Sequence, residues 1–140
     1  MTFQELAQSL PNGFHDTELQ RLEIDYVTQV LRMELVVWIG SMTARETREL
    51  YRPARVVVER VAFLVMEPPD QGTPWSEAGA LTIDTGSAVP KDCPIPLPLA
   101  PDGTTITSVY VYDWNRYFYF AGGPARLEWT GPEVNRDLNG

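Results

Sequence analysis

The chain has 140 residues, 44% of them hydrophobic, and a formal net charge of −8 from 19 acidic and 11 basic residues. That length suits one domain, residues 1–140 around a single core, burying roughly 68–70% of the surface its unfolded form exposes. The charge argues against nucleic acid and anionic membrane as partners and favours a basic one, beside the plainer role of an acidic surface in solubility. With one cysteine, Cys93, an intrachain disulfide is excluded. The first residues lack the basic leader and apolar core of a secretory signal, and apolar runs such as 61–66 fall far short of the about 20 residues needed to span a bilayer. The expectation is a cytoplasmic protein.

Thr2-Phe3-Gln4-Glu5 has the spacing of a capping box, in which the threonine oxygen accepts from the third helical amide while the glutamate reaches back. A short helix is predicted, with Phe3, Leu6 and Leu10 on a face that docks on a sheet, stopped by Pro11-Asn12-Gly13. From Thr17 the period changes to two. Leu22, Ile24 and Tyr26 alternate with Glu23 and Asp25, and Leu31, Met33, Leu35 and Val37 repeat the pattern around Arg32 and Glu34. These read as the two strands of a hairpin whose join, lacking glycine for a tight primed turn, is a looser loop. Residues 13–40 thus form a His-Asp corner feeding a hairpin, the stretch around which the rest is organised.

Residues 40–52 are polar, with Thr43 and Glu46 again at capping-box spacing, and fit either a helical turn or an ordered loop that Pro53 ends. Residues 55–66 are rich in β-branched side chains and read as a strand. Glu59 and Arg60 interrupt both of its alternating faces, and a bulge near Glu59 reconciles them by swapping the buried side. Residues 67–103 differ in kind, holding eight of the twelve prolines and six acids against one base, Lys91. Proline lacks a ladder donor, so this segment is expected to run extended over the body, with a short strand only at 80–84. Strands return at 104–112, 116–121 and 125–129, the last with Leu127 and Trp129 toward the core, and residues 131–140 are expected to fray.

Chemistry-bearing residues are sparse. His15 beside Asp16 is the first candidate, because a carboxylate can fix an imidazole's tautomer and raise its basicity. Neighbours on an extended chain point to opposite faces, however, so adjacency alone makes no hydrogen bond, and a structural role in pinning the corner competes with a functional one. A metal would need Asp16, Glu18 or Glu23 to join His15, and no ligand-pair spacing supports that, so no metal and no cofactor are expected. Cys93 with His15 would make a nucleophile and base, yet the cysteine lies among prolines with nothing to lower its pKa. Phosphate-binding and nucleophile-elbow motifs are absent, and the reading is of a protein that is not an enzyme. Tyr110, Tyr112, Trp114, Tyr117, Phe118, Tyr119 and Phe120 form an aromatic hairpin, half of it core and half available to an outer surface.

The sequences FHDTELQRLEIDY, the strand ending VVWIG, YRPARVVVERVAFLVMEPPD and the late YDWNRYFYF resemble a widespread group of small uncharacterised bacterial proteins. These carry an FHDAEL-like start and are similar to an immunity-protein family of polymorphic toxin systems. The likeness runs over residues 14–129, with Thr17 standing where the group has alanine. It implies a protein that binds and neutralises a cognate toxin in the cytoplasm. Phe14, His15, Asp16, Leu19, Ile24 and Asp25 match, without any of them carrying an assigned role.

Together these readings predict an α+β, mainly β protein: an antiparallel sheet curled into a sandwich or half-barrel with a short N-terminal helix. Its expected function is that of a non-catalytic interaction protein, an immunity-like inhibitor meeting a basic toxin. The alternative is a small-molecule binding module with its pocket at the mouth of the curled sheet, lined by Trp38, Trp75 or Trp114. The residues put forward for binding are His15, Asp16, Glu18, Trp75 and Trp114. Oligomeric state is not legible.

Overall fold

The computed structural model describes residues 1–76, 79–84, 93 and 95–139, so the expectations for 77–78, 85–92, 94 and 140 lie outside the described residues. The chain begins with helix α1 (Phe3–Gln8). Thr2 caps it as its spacing requires: the hydroxyl accepts from the Glu5 amide at 3.1 Å, and the Thr2 amide donates to the Glu5 carboxylate at 3.2 Å. Phe3, Leu6 and Ala7 are buried. Phe3 stacks on Phe14 at 4.8 Å and meets Phe120 edge-on at 5.4 Å, which fixes the helix against the sheet. Pro11-Asn12-Gly13 does more than stop the helix, because with Phe14 it forms a short strand, β1 (Pro11–Phe14).

Strands β2 (Thr17–Asp25) and β3 (Val30–Trp38) make the expected hairpin. Its loop is the looser kind. The Asp25 carboxylate accepts from the amides of Val27 and Thr28, which holds its pKa below the usual carboxylate value, and Gln29 takes a left-handed φ of 58°. The register slips between Leu19 and Arg21. That irregularity moves the inward set of β2 from Thr17 and Leu19 to Leu22 and Ile24, leaving Arg21 and Glu23 on the outside.

Residues 40–52 hold a single 3-10 turn, Arg45–Thr47, and the Ser41 hydroxyl rather than Thr43 receives the local amides. Strand β4 (Leu50–Val58) then starts earlier than expected and includes Pro53, paired with Val36 of β3. The Pro53 carbonyl accepts from Thr130, and nitrogen and carbonyl of one strand residue point to the same edge. The missing donor therefore faces away from β3, where no ladder bond is lost. Residues 59–62 interrupt the strand and Arg60 adopts φ 51°, after which β5 (Phe63–Met66) resumes. Ala54, Val56 and Val58 of β4 and Leu64 of β5 face the core, with Val61 buried in the break between them, so a full break takes the place of the expected bulge and face swap.

Strand β6 (Leu81–Ile83) is the short strand of the proline-rich segment. Strands β7 (Thr105–Val111) and β8 (Arg116–Gly122) form the aromatic hairpin around a 3-10 turn, Tyr112–Trp114, closed by Asn115 at φ 51°. Strand β9 (Ala125–Trp129) follows, then β10 (Val134–Asn135). All pairings are antiparallel, and the sheet order is β10-β4-β3-β2-β6-β7-β8-β5, with β9 also on β4.

The curl comes from two chain segments that bend together. β4 leads into β5 while β8 leads into β9, with β4 paired to β9 and β5 to β8. At the shared corner the Glu59 amide donates to Pro124 and the Gly123 amide to Glu59. Gly122 is required there, since a Cβ would lie 2.5 Å from a Val58 methyl carbon. The core inside the curl is built on Phe14, Leu31, Met33, Val56, Phe118 and Phe120, each nearly inaccessible.

Two expectations fail here. Trp129 is not buried in the core: on the same face as its cross-strand partner Ala54, it is partly exposed with the Arg52 guanidinium 4.7 Å above its ring, a cation–π contact. Residues 131–137 are not frayed either. β10 adds to β4, and Arg136 forms a two-pronged ion pair with Glu18 while covering the Tyr51 ring at 4.3 Å.

Candidate functional site: an outward face of acids and tyrosines

Strand register builds the site. Thr17, Ile83 and Val111 are cross-strand partners on β2, β6 and β7, and all three are fully buried. Alternation then sends the next residue on each strand outward. One outward row is Asp16, Asp84 and Tyr110, where the Asp84 amide donates to the Tyr110 carbonyl at 2.9 Å. The row beyond is Glu18, Thr82 and Tyr112, Glu18 and Thr82 being direct partners.

His15 joins this face because the chain turns sharply between β1 and β2. Phe14 and Thr17 are buried, and Asp16 between them adopts φ 53°. The turn brings His15 and Asp16 to one side, so the two that alternation would have parted approach to 3.5 Å between Nε2 and Oδ2. His15 Nδ1 lies 3.0 Å from Asp84 Oδ1, and the Tyr112 hydroxyl donates to Asp84 Oδ2 at 3.0 Å. The Asp84 bond raises the His15 pKa, against partial desolvation, and Asp16 adds to the rise. Tyr112 is pushed up to about 12, by desolvation first and then by the hydrogen bond to Asp84. Tyr51, beside the Arg136–Glu18 pair, is raised mainly by burial.

The tyrosines continue the face along the β7–β8 hairpin. Ring centroids are 5.1 Å apart for Tyr112–Tyr110, 5.1 Å for Tyr110–Tyr117 and 6.0 Å for Tyr117–Tyr119. At its far end the ladder is covered. Tyr119 and Glu67 are buried, Glu67 accepting from the Tyr117 amide at 2.6 Å and from the Tyr119 hydroxyl at 3.4 Å. Burial raises the Tyr119 pKa, and Cys93 lies against its hydroxyl. The Cys93 thiol also donates to the Ile95 carbonyl at 3.2 Å. Cys93 therefore sits at the opposite end of the ladder from His15, and the nucleophile–base pair weighed from sequence is not assembled.

Among the described residues no group of three His, Cys, Asp or Glu side chains is arranged to hold a metal ion, and no helix is long and apolar enough to cross a membrane. The tryptophans divide. Trp114 Nε1 donates to the Trp75 carbonyl at 2.7 Å and the two rings lie 4.9 Å apart, lining a groove of about 340 Å³ with Leu22, Met66 and Leu81. Trp38 is elsewhere, buried, with its indole donating to the Arg48 carbonyl and its ring 6.2 Å from His15.

Of the residues put forward from sequence, His15, Asp16 and Glu18 share the outward face, while Trp75 and Trp114 share the groove. Asp84, Tyr112 and Arg136 were missed as members of the face. Only Tyr112 left a signal, through its alternation with Tyr110; the others depend on pairings across 69 and 118 residues. No protein-family model, curated protein or solved structure matches the chain.

Proposed function

We propose that this is a non-catalytic interaction protein that docks a basic partner on the outward face of β2, β6 and β7, acting as an immunity-like inhibitor of a cytoplasmic toxin. The observation that carries this reading is the pair of outward rows, Asp16–Asp84–Tyr110 and Glu18–Thr82–Tyr112, set on the paired strands and their immediate ends. Carboxylates give a basic partner fast, salt-sensitive association, and partly exposed tyrosines supply contact area at low entropic cost. The His15 and Tyr112 bonds to Asp84 hold its carboxylate in place before a partner arrives. The resemblance of the FHDTEL start to the immunity-like group points to the class of partner.

The test is co-expression with the product of each neighbouring gene that arrests growth on its own, together with calorimetric titration of the two purified proteins at low and high salt. The proposal expects rescue of growth, binding that weakens with salt, and at least a tenfold loss of affinity in the Asp16→Lys/Asp84→Lys variant. Neither rescue nor binding, or full affinity in that variant, would sink it.

A further inference from the structure

The acidic face already holds an arginine of its own chain. Arg136 directly follows β10, which joins the sheet beyond β3 and β4 from β2, yet its guanidinium donates to both carboxylate oxygens of Glu18, from Nη2 at 3.0 Å. Register places the pieces. Val36 of β3 pairs with Glu18, and Trp38, two residues on, pairs with Tyr51 of β4, so Glu18 and Tyr51 share the outward side. The Tyr51 ring lies 4.3 Å from the guanidinium carbon. Glu18 thus takes the edge of the guanidinium plane through two donors while Tyr51 covers its face, a pair of contacts suited to arginine alone among the basic side chains. The Arg136 pKa is raised, first by the hydrogen bond to Glu18 and then by the charges of Glu18 and Glu49, against partial desolvation.

The segment that delivers Arg136 is held lightly. β10 is two residues long and pairs with β4 through Val134 and Asn135. Beside it, the Arg136 amide donates to the Glu49 carbonyl and the Asn135 side chain to the Glu46 carbonyl, each at 2.9 Å. None of residues 131–137 is buried, and Val134 is 41% exposed. Lifting such a segment uncovers little apolar surface, so it opens at far lower cost than a core strand.

We infer that Glu18 and Tyr51 form an arginine-binding pocket, filled in cis by Arg136, and that an arginine of the docking partner takes its place. The inference deepens the reading of this face as a docking surface and rests on it for the source of the displacing side chain. Arg136 is then a resident competitor. A partner gains the pocket only by offering a guanidinium; a lysine, a point charge on a flexible stem, is attracted by the same acids but cannot make the paired bonds and the ring contact together. The competitor therefore sharpens the choice among basic partners rather than strengthening all of them.

The test uses the full chain and acetyl-Gly-Arg-Gly-amide as probe, with acetyl-Gly-Lys-Gly-amide of equal charge as control, followed through the amide resonances of Glu18 and Tyr51. In Arg136→Ala the arginine probe should shift these resonances saturably, at least fivefold more tightly than the lysine probe and at least fivefold more tightly than in the unaltered protein. Adding Glu18→Gln should weaken that binding at least fivefold. The thermal transition checks the fold, and Arg136→Gln serves as a second variant should Arg136→Ala lose it. No saturable shift in the Arg136 variant, equal affinity for the two probes, equal affinity in the unaltered protein, or binding that survives Glu18→Gln overturns the inference. No toxin enters this titration, so its failure leaves docking on the Asp16–Asp84 row to the co-expression test, and a failed rescue leaves the pocket to this one.

Discussion

The two ends of the tyrosine ladder make a controlled comparison. At each end a carboxylate from the same proline-rich segment receives a tyrosine hydroxyl: Glu67 from Tyr119, Asp84 from Tyr112. Tyr119 is fully buried, whereas Tyr112 is 44% exposed. The Glu67 carboxylate is buried, so losing it leaves the Tyr117 amide without its charged acceptor in a place water reaches poorly; the Asp84 bonds compete with water throughout. The same pairing therefore serves stability at one end and presentation at the other.

Four outcomes would break or sharpen that contrast. Glu67→Ala should lower unfolding free energy by about 1.5–3 kcal/mol, measured by urea titration, because it leaves the Tyr117 amide without its charged acceptor. Asp84→Ala should cost less than about 1 kcal/mol in the same assay, and equal losses at the two sites would end the distinction. Thr17→Val, in the buried row beneath the face, should be neutral or stabilising by up to about 1 kcal/mol. Its hydroxyl is buried without a hydrogen-bond partner among the described residues, and the isostere removes that burden.

The smallest effect concerns His15, the one histidine, whose imidazole resonance can be followed alone by NMR. Its pKa should lie above 6.5 and fall back toward that value in Asp84→Asn. A folded-state pKa raised in this way contributes stability that is complete below the unfolded value and is lost as pH rises through the folded one. With the side chain 47% exposed, that contribution is screened and small, so a titration unchanged by Asp84→Asn would remove Asp84 as its cause.

How much was legible in the sequence follows the range of the interactions. The Thr2 cap, the β2–β3 hairpin and the interruption near Glu59 rest on neighbours or on period, and the residues announce them. In the sequence Pro53 reads as a terminator, because its missing donor matters only relative to which strand lies on which side. Residues 131–140 read as frayed in the sequence, because nothing local marks Arg136 as the partner of Glu18. His15 and Asp16 stand out in the sequence as a dipeptide, but the hydrogen-bond partner of His15, Asp84, shows there only as one charge in a proline-rich run. Its place follows from Thr17 pairing with Ile83, a register no short window contains.

The bent pair of segments that curls the sheet also sets how the chain must find its fold. β2 and β3 can zip locally across a short loop, but Ala54 meets Trp129 and Tyr51 meets Val134 only after long stretches of chain have closed. Loop closure of that length is an entropic cost incurred before any contact repays it. Folding should accordingly fall in the slow range of all-β topologies, milliseconds to seconds. The first hairpin would gain amide protection early, and the β4–β9 ladder would gain it last.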